Sequence, residues 1–155
     1  MKPMDAHPEL HEMLRTVRII VLGIATGLAA FLAYVAWAHY GAGKEPASAD
    51  AMLLTWIGLA AALVSTLAFA ALRARLMRTA RAAYSDGDIE GFRQKYTAGV
   101  LVGVAGIEGP GFLLCVAFML EGQPIALAGA AVCLLMILFA TPTRTHVDHL
   151  LEMKR

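Results

Sequence analysis

The chain is short of charge. Only 16% of its 155 residues are Asp, Glu, Lys or Arg, against about 25% in an ordinary soluble domain. With 59% hydrophobic residues and a mean hydropathy of +0.64, its expected main solvent is lipid. The net charge is +1, which excludes the strongly basic field of a nucleic-acid-binding protein. Cysteine is scarce too. Cys115 and Cys133 both fall inside apolar runs and read as small apolar filler, not as a disulfide or metal pair. Also missing are a Ser-His-Asp or Cys-His arrangement, a phosphate-binding glycine loop and a pair of catalytic carboxylates, so neither an enzyme activity nor a cofactor is expected. His7 and His11, with His146 and His149, have helical spacings that could converge on a metal. Surface histidines on amphipathic helices account for them, and no metal is expected.

What the chain does contain is four apolar segments: 19–38, 51–72, 97–120 and 125–141. Each of the first three has at least 20 residues, enough at about 1.5 Å per residue to cross a hydrocarbon core of about 30 Å. The fourth has 16 strictly apolar residues, Ile125 to Ala140. In lipid the backbone must satisfy its own hydrogen bonds, so these segments are helices. The expected fold is all-α: one membrane domain over 1–155, an integral four-helix bundle with short amphipathic helices at both ends. In the arm 1–18, Leu10, Met13, Leu14 and Val17 form one apolar stripe, expected at the cytoplasmic interface and continuing into span one. In the tail 142–155, Val147, Leu150 and Leu151 do the same. Tyr34, Trp37, Tyr40 and Trp56 suit an outer aromatic belt.

Lys and Arg set the orientation. Twelve of the 13 lie in the arm, the segment 73–96 and the tail, and only Lys44 lies in an expected outer loop. Both termini and 73–96 are therefore expected in the cytoplasm, of a bacterial inner membrane. Within 73–96, "RARLMRTARAA" extends span two as a basic helix, and Arg73, Arg75, Arg78 and Arg81 favour anionic head groups at about 1 kcal/mol each. The chain then turns at Asp86–Gly87 and restarts a helix into span three. "DGDIE" lacks the ligand spacing of a calcium loop and reads as a capped turn.

A shift of 81 residues sets "GLAAFLAYVAWAHYG" (27–41) against "EGPGFLLCVAFMLEG" (108–122), pairing Phe31 with Phe112 and Gly27 with Glu108. The bundle is thus possibly two duplicated helix hairpins.

Glu108 is the one carboxylate in the run 97–120. By counting it falls near mid-span, where an ionised acid costs about 2.5–3.5 kcal/mol. It is expected to face the bundle interior or an oligomer contact, as a proton- or cation-binding candidate. Its proton could be shared with Thr26, Thr55, Ser65, Thr66 or the carbonyl of Gly106, which loses its helical donor to Pro110. Gly99, Gly103, Gly106, Gly109 and Pro110 mark span three as the packed, kinked centre. Gly99/Gly103 and Gly23/Gly27 are G-x-x-x-G pairs that permit close helix approach.

"GIEGPGFLLCVAFMLEGQ" followed by "LMILFATPTRTHVDHLLE" resembles an uncharacterised family of small four-span bacterial membrane proteins. There, an acid-glycine pair lies within span three and a Pro-Thr-Arg turn, here Pro142, Thr143 and Arg144, closes span four. The resemblance covers the C-terminal part of the chain and implies a fold, not an activity. The hairpin of spans two and three is also similar to the proteolipid c subunit of rotary ATPases, with "RQK" (93–95) in the cytoplasmic loop and an acid on the returning helix. Span two has only Gly58 where that family has a glycine ladder, and spans one and four are extra. The expected function is that of a non-enzymatic structural or accessory protein, self-associating or serving a larger membrane complex through small-residue faces. The alternative is proton or cation binding and translocation centred on Glu108.

Overall fold

The computed structural model describes residues 8–43, 52–145, 147 and 148 as a bundle of four helices, with no strand among them. These are α1 (Pro8–Gly41), α2 (Leu53–Ser85), α3 (Ile89–Glu121) and α4 (Pro124–Phe139). The first three are long and apolar enough to cross a membrane, and α4 is a shorter apolar helix of 16 residues.

No breaker separates the N-terminal arm from the first apolar run, so the two form one 34-residue helix. Its stripe of Leu10, Met13, Leu14 and Val17 does not lie out along a surface. It is buried in the same core as Phe92, Tyr96 and Val100. As the sequence suggests, 73–96 consists of the C-terminal end of α2 and the N-terminal end of α3, joined by Asp86, Gly87 and Asp88. Gly87 supplies the positive φ (+80°) that the tight turn requires. Asp88 then caps α3, its Oδ1 accepting from the N–H of Gly91 at 2.8 Å.

Helix α3 is the hub. More than half of its most apolar stretch is buried (56%), against 22% for α1 and 11% for α2. It runs unbroken through Pro110 and packs antiparallel to α2 in one constant register. A Cβ at Gly99 would lie 2.8 Å from Met77, one at Gly103 would lie 3.0 Å from Arg73, and one at Gly106 would enter Phe69. Near the other end a Cβ at Gly58 would lie 2.8 Å from Leu114. Close approach along this seam therefore depends on glycine. On another side of α3, Gly111 sits against Leu28 of α1 and Cys133 of α4. The rings of Phe31 and Phe112 meet at a tilt, with centroids 5.3 Å apart. Helices α1 and α3 thus run parallel at an offset near the repeat's shift. Helices α1 and α2 scarcely touch, whereas α3 and α4 pack closely, so the four helices do not form two equivalent packed hairpins.

Candidate functional site

Two carboxylates on α3 have opposite fates. Glu121, at its C-terminal end, is buried and bridges to the start of α2. Its Oε1 accepts from the N–H of Leu54 at 2.6 Å, and its Oε2 from the N–H and Oγ1 of Thr55 at 2.9 and 2.7 Å. Helix α2 begins after Met52, which has no side-chain cap to offer, so the second and third N–H groups of α2 are orphans that Glu121 satisfies from another helix. Burial alone would raise the Glu121 pKa. The donors of Thr55 and Leu54 outweigh it and hold the carboxyl below its usual range. Gly122, at φ +65°, closes α3 with its N–H on the carbonyl of Phe118 at 2.7 Å. Sequence reasoning missed Glu121. The signals were an acid at a helix C-terminus, where the dipole disfavours it, and an α2 start without Ser, Thr, Asp or Asn at its cap.

Glu108 is half-buried, and among the described residues it makes no hydrogen bond or ion pair. The expected proton-sharing partners are engaged elsewhere or apart from it: Thr26 Oγ1 donates to the carbonyl of Leu22 at 2.8 Å, Thr55 holds Glu121, and Thr66 lines a groove facing α4. Gly103 is level with Arg73, and Glu108 lies five residues further along α3, about 7.5 Å from a cation-bearing level.

The Phe31–Phe112 contact fixes what surrounds Glu108. One helical turn inward from those rings, at i−4 on each helix, stand Gly27 and Glu108, and Gly23 continues the α1 row. Gly23, Gly27 and Gly109 are exposed, with nothing within 4 Å of an added Cβ. Ala98 and Ala105 are exposed on α3, with Leu101 half-buried between them. Since α1 and α2 scarcely touch, α3 keeps one uncovered side, a slot of exposed small residues beside the half-buried Glu108. Of the predicted packing residues, then, Gly99, Gly103, Gly106 and Pro110 are buried within the chain, and Gly23, Gly27 and Gly109 face out of it.

No protein-family model, curated protein or solved structure matches the chain. The site must be read from its own geometry.

Of the four predicted head-group arginines, Arg73 is half-buried, and Arg75, Arg78 and Arg81 are exposed on the C-terminal half of α2. Arg73 acts on Tyr96, whose phenol burial pushes up to about 12, an effect the guanidinium offsets in part. Of the histidines considered for a metal, His7, His146 and His149 lie outside the described residues, as do Lys2, Lys44, Lys154 and Arg155.

Proposed function

We propose that this chain is a non-enzymatic accessory protein of the bacterial inner membrane that holds a transmembrane helix of another subunit along the slot beside Glu108. The observation that carries the reading is the uncovered row Gly23, Gly27, Ala105 and Gly109 flanking an acid with no donor among the described residues. Small residues let a further helix approach closely, and a lone carboxyl at that depth is stabilised by a hydrogen-bond donor or cation from outside.

Supporting the bilayer setting is a belt of exposed apolar side chains. It runs from Ile19, Leu72 and Phe139 at one edge to Trp37, Tyr40, Trp56 and Ile125 at the other. Ile19 to Trp37 spans about 27 Å of helix axis, close to a hydrocarbon core. Helix α4 covers the same height: Gly129 is level with Leu59 and Leu114, and just past its end the carbonyl of Pro142 accepts from Arg18 at 3.2 Å. That supports four spans with both termini in the cytoplasm, the side that carries the arginines.

The test is cysteine cross-linking in native membranes. With Cys115 and Cys133 replaced by alanine, Ala105→Cys should yield a cross-linked species, of two copies or of this chain with a partner subunit. Gly23→Leu and Gly27→Leu should abolish it while the protein stays inserted. If Ala105→Cys yields only uncross-linked chain in its native membrane, the slot is not an interface. A second reading, proton or cation handling, is favoured by Glu108 being half-exposed instead of sealed in the core. Under it, Glu108→Gln assembles normally but loses ion-linked activity.

A further inference from the structure

A groove of about 610 Å³ lies between α2, α3 and α4, on a different side of α3 from the slot. Its volume is within the range of small-molecule sites. Its composition changes along its length. Toward the belt its walls are apolar: Ala70, Ile107, Met136 and Phe139, with Thr66 at the far end. Toward the inner edge, where α4 ends at Phe139, the lining becomes Arg73, Met77 and Arg81. These three follow at i, i+4 and i+8, so they share one face of α2. Arg75 and Arg78, on the same basic stretch, do not line the groove.

The stem of Arg73 lies over Gly103, since a Cβ there would be 3.0 Å from Arg73 Cδ, which draws this arginine into the groove and leaves it half-buried. Arg81 is about 12 Å further along the axis, close enough for two long side chains to converge on one anionic group. Among the described residues neither guanidinium has a carboxylate within 4 Å or a hydrogen-bond acceptor. The phenol of Tyr96 stays neutral at physiological pH and supplies no counter-charge. Two cations with no counter-charge among the described residues thus stand at the polar end of an apolar groove.

We propose that this groove binds an anionic phospholipid of the cytoplasmic leaflet, with one acyl chain along Ile107, Met136 and Phe139 and the phosphate held by Arg73 and Arg81. The chemistry matches at both ends. Guanidinium groups pair with phosphate through charge-assisted hydrogen bonds, and the acyl chain covers surface that α4 leaves open. The inference rests on the bilayer orientation proposed above.

The experiment uses the purified full-length chain, stripped of lipid and titrated with phosphatidylglycerol, phosphatidylcholine or inorganic phosphate under native mass spectrometry. Phosphatidylglycerol should add one equivalent at concentrations where the other two do not bind. The Arg73→Gln/Arg81→Gln double variant should weaken that binding by at least about 10-fold, the loss expected if even one charge-assisted hydrogen bond is removed. The Arg75→Gln/Arg78→Gln pair should leave it unchanged. Ala70→Trp, which keeps both arginines and fills the apolar end, should also block it. Equal affinity for the two lipids, equal effects of the two arginine pairs, or unaltered binding by Ala70→Trp would each overturn the proposal. Competition by inorganic phosphate as strong as by the lipid would identify a free-anion site instead and overturn it as well. Orientation is read separately, by inside-only labelling of Ser85→Cys in vesicles, so failure of the groove and failure of the topology are distinguishable.

Discussion

Replacing Gly106 by alanine adds one methyl group where Phe69 already stands. The new Cβ would lie 2.5 Å from Phe69 Cβ and 2.6 Å from its Cδ2, about 1 Å inside ordinary carbon contact. Rotation of the ring cannot relieve this, because Cβ is fixed to the α2 backbone. The two helices must move apart along a seam where Gly99 and Gly103 are also in close contact. Overpacking of this kind costs about 1–3 kcal/mol, and exchanging glycine for alanine within a helix returns up to about 1 kcal/mol. The expected net loss is about 1–2 kcal/mol, or roughly 2–8 °C in melting temperature. Gly27→Ala, on α1, meets nothing within 4 Å and should be neutral or stabilising by up to about 1 kcal/mol. The chain carries its own reporter: Cys115 and Cys133 are its only cysteines, both buried, so a thiol-reactive dye reads unfolding in detergent without engineering. The expected order of stability is Gly27→Ala at or above wild type, and wild type above Gly106→Ala. A Gly106→Ala protein that melts at or above the wild-type temperature would refute the glycine-dependent seam.

Further predictions follow from the two acids and the topology. Glu121→Gln should lower the melting temperature, because it removes the charge and presents an amide where Leu54 and Thr55 donate. The folded carboxyl has a depressed pKa, so its contribution is complete above the ordinary carboxylate range near pH 4.3 and is lost as pH falls through the lower folded value. The wild-type advantage over Glu121→Gln should therefore be level from about pH 7 to 5 and shrink below about pH 4; a constant gap through pH 3 would contradict the capping role. Glu108→Gln should leave the melting temperature of the isolated chain within about 0.5 kcal/mol of wild type, whereas Glu108→Lys should impair membrane insertion or assembly, measured as the fraction recovered in membranes. In a Cys115/Cys133-free background, Gln123→Cys should label from outside the cell and Ser85→Cys only after permeabilisation. External labelling of Ser85→Cys would overturn the orientation.

The helices were legible because length and hydropathy constrain them strongly. The turn at Asp86–Gly87 was legible too, because few residues other than glycine accept its backbone angle. Direction was not legible. Gly23/Gly27 and Gly99/Gly103 have the same spacing, yet one pair faces out and the other lies under α2. Spacing defines a stripe on a helix, and only the packing of the remaining helices says what the stripe meets. Helix α3 stays apolar past the level of Arg73, because its inner half is buried against α1 and α2 and needs no polar surface there.

The contrast between the two glutamates carries the functional argument furthest. Both are on α3, thirteen residues apart in sequence. Glu121 receives three donors from α2, and its job is complete inside the chain: it caps a helix that cannot cap itself. Glu108 receives none from the described residues, although the cost of an unpartnered carboxyl rises with removal from water. The bundle could have closed over it, had α1 and α2 met. Instead they stand apart, and the wall beside the acid is built of glycine and alanine, the residues that cost a neighbouring helix least to approach. An acid whose donors are internal holds this fold together; one with no donor among the described residues, on a face kept low for contact, is what the proposed second polypeptide would meet.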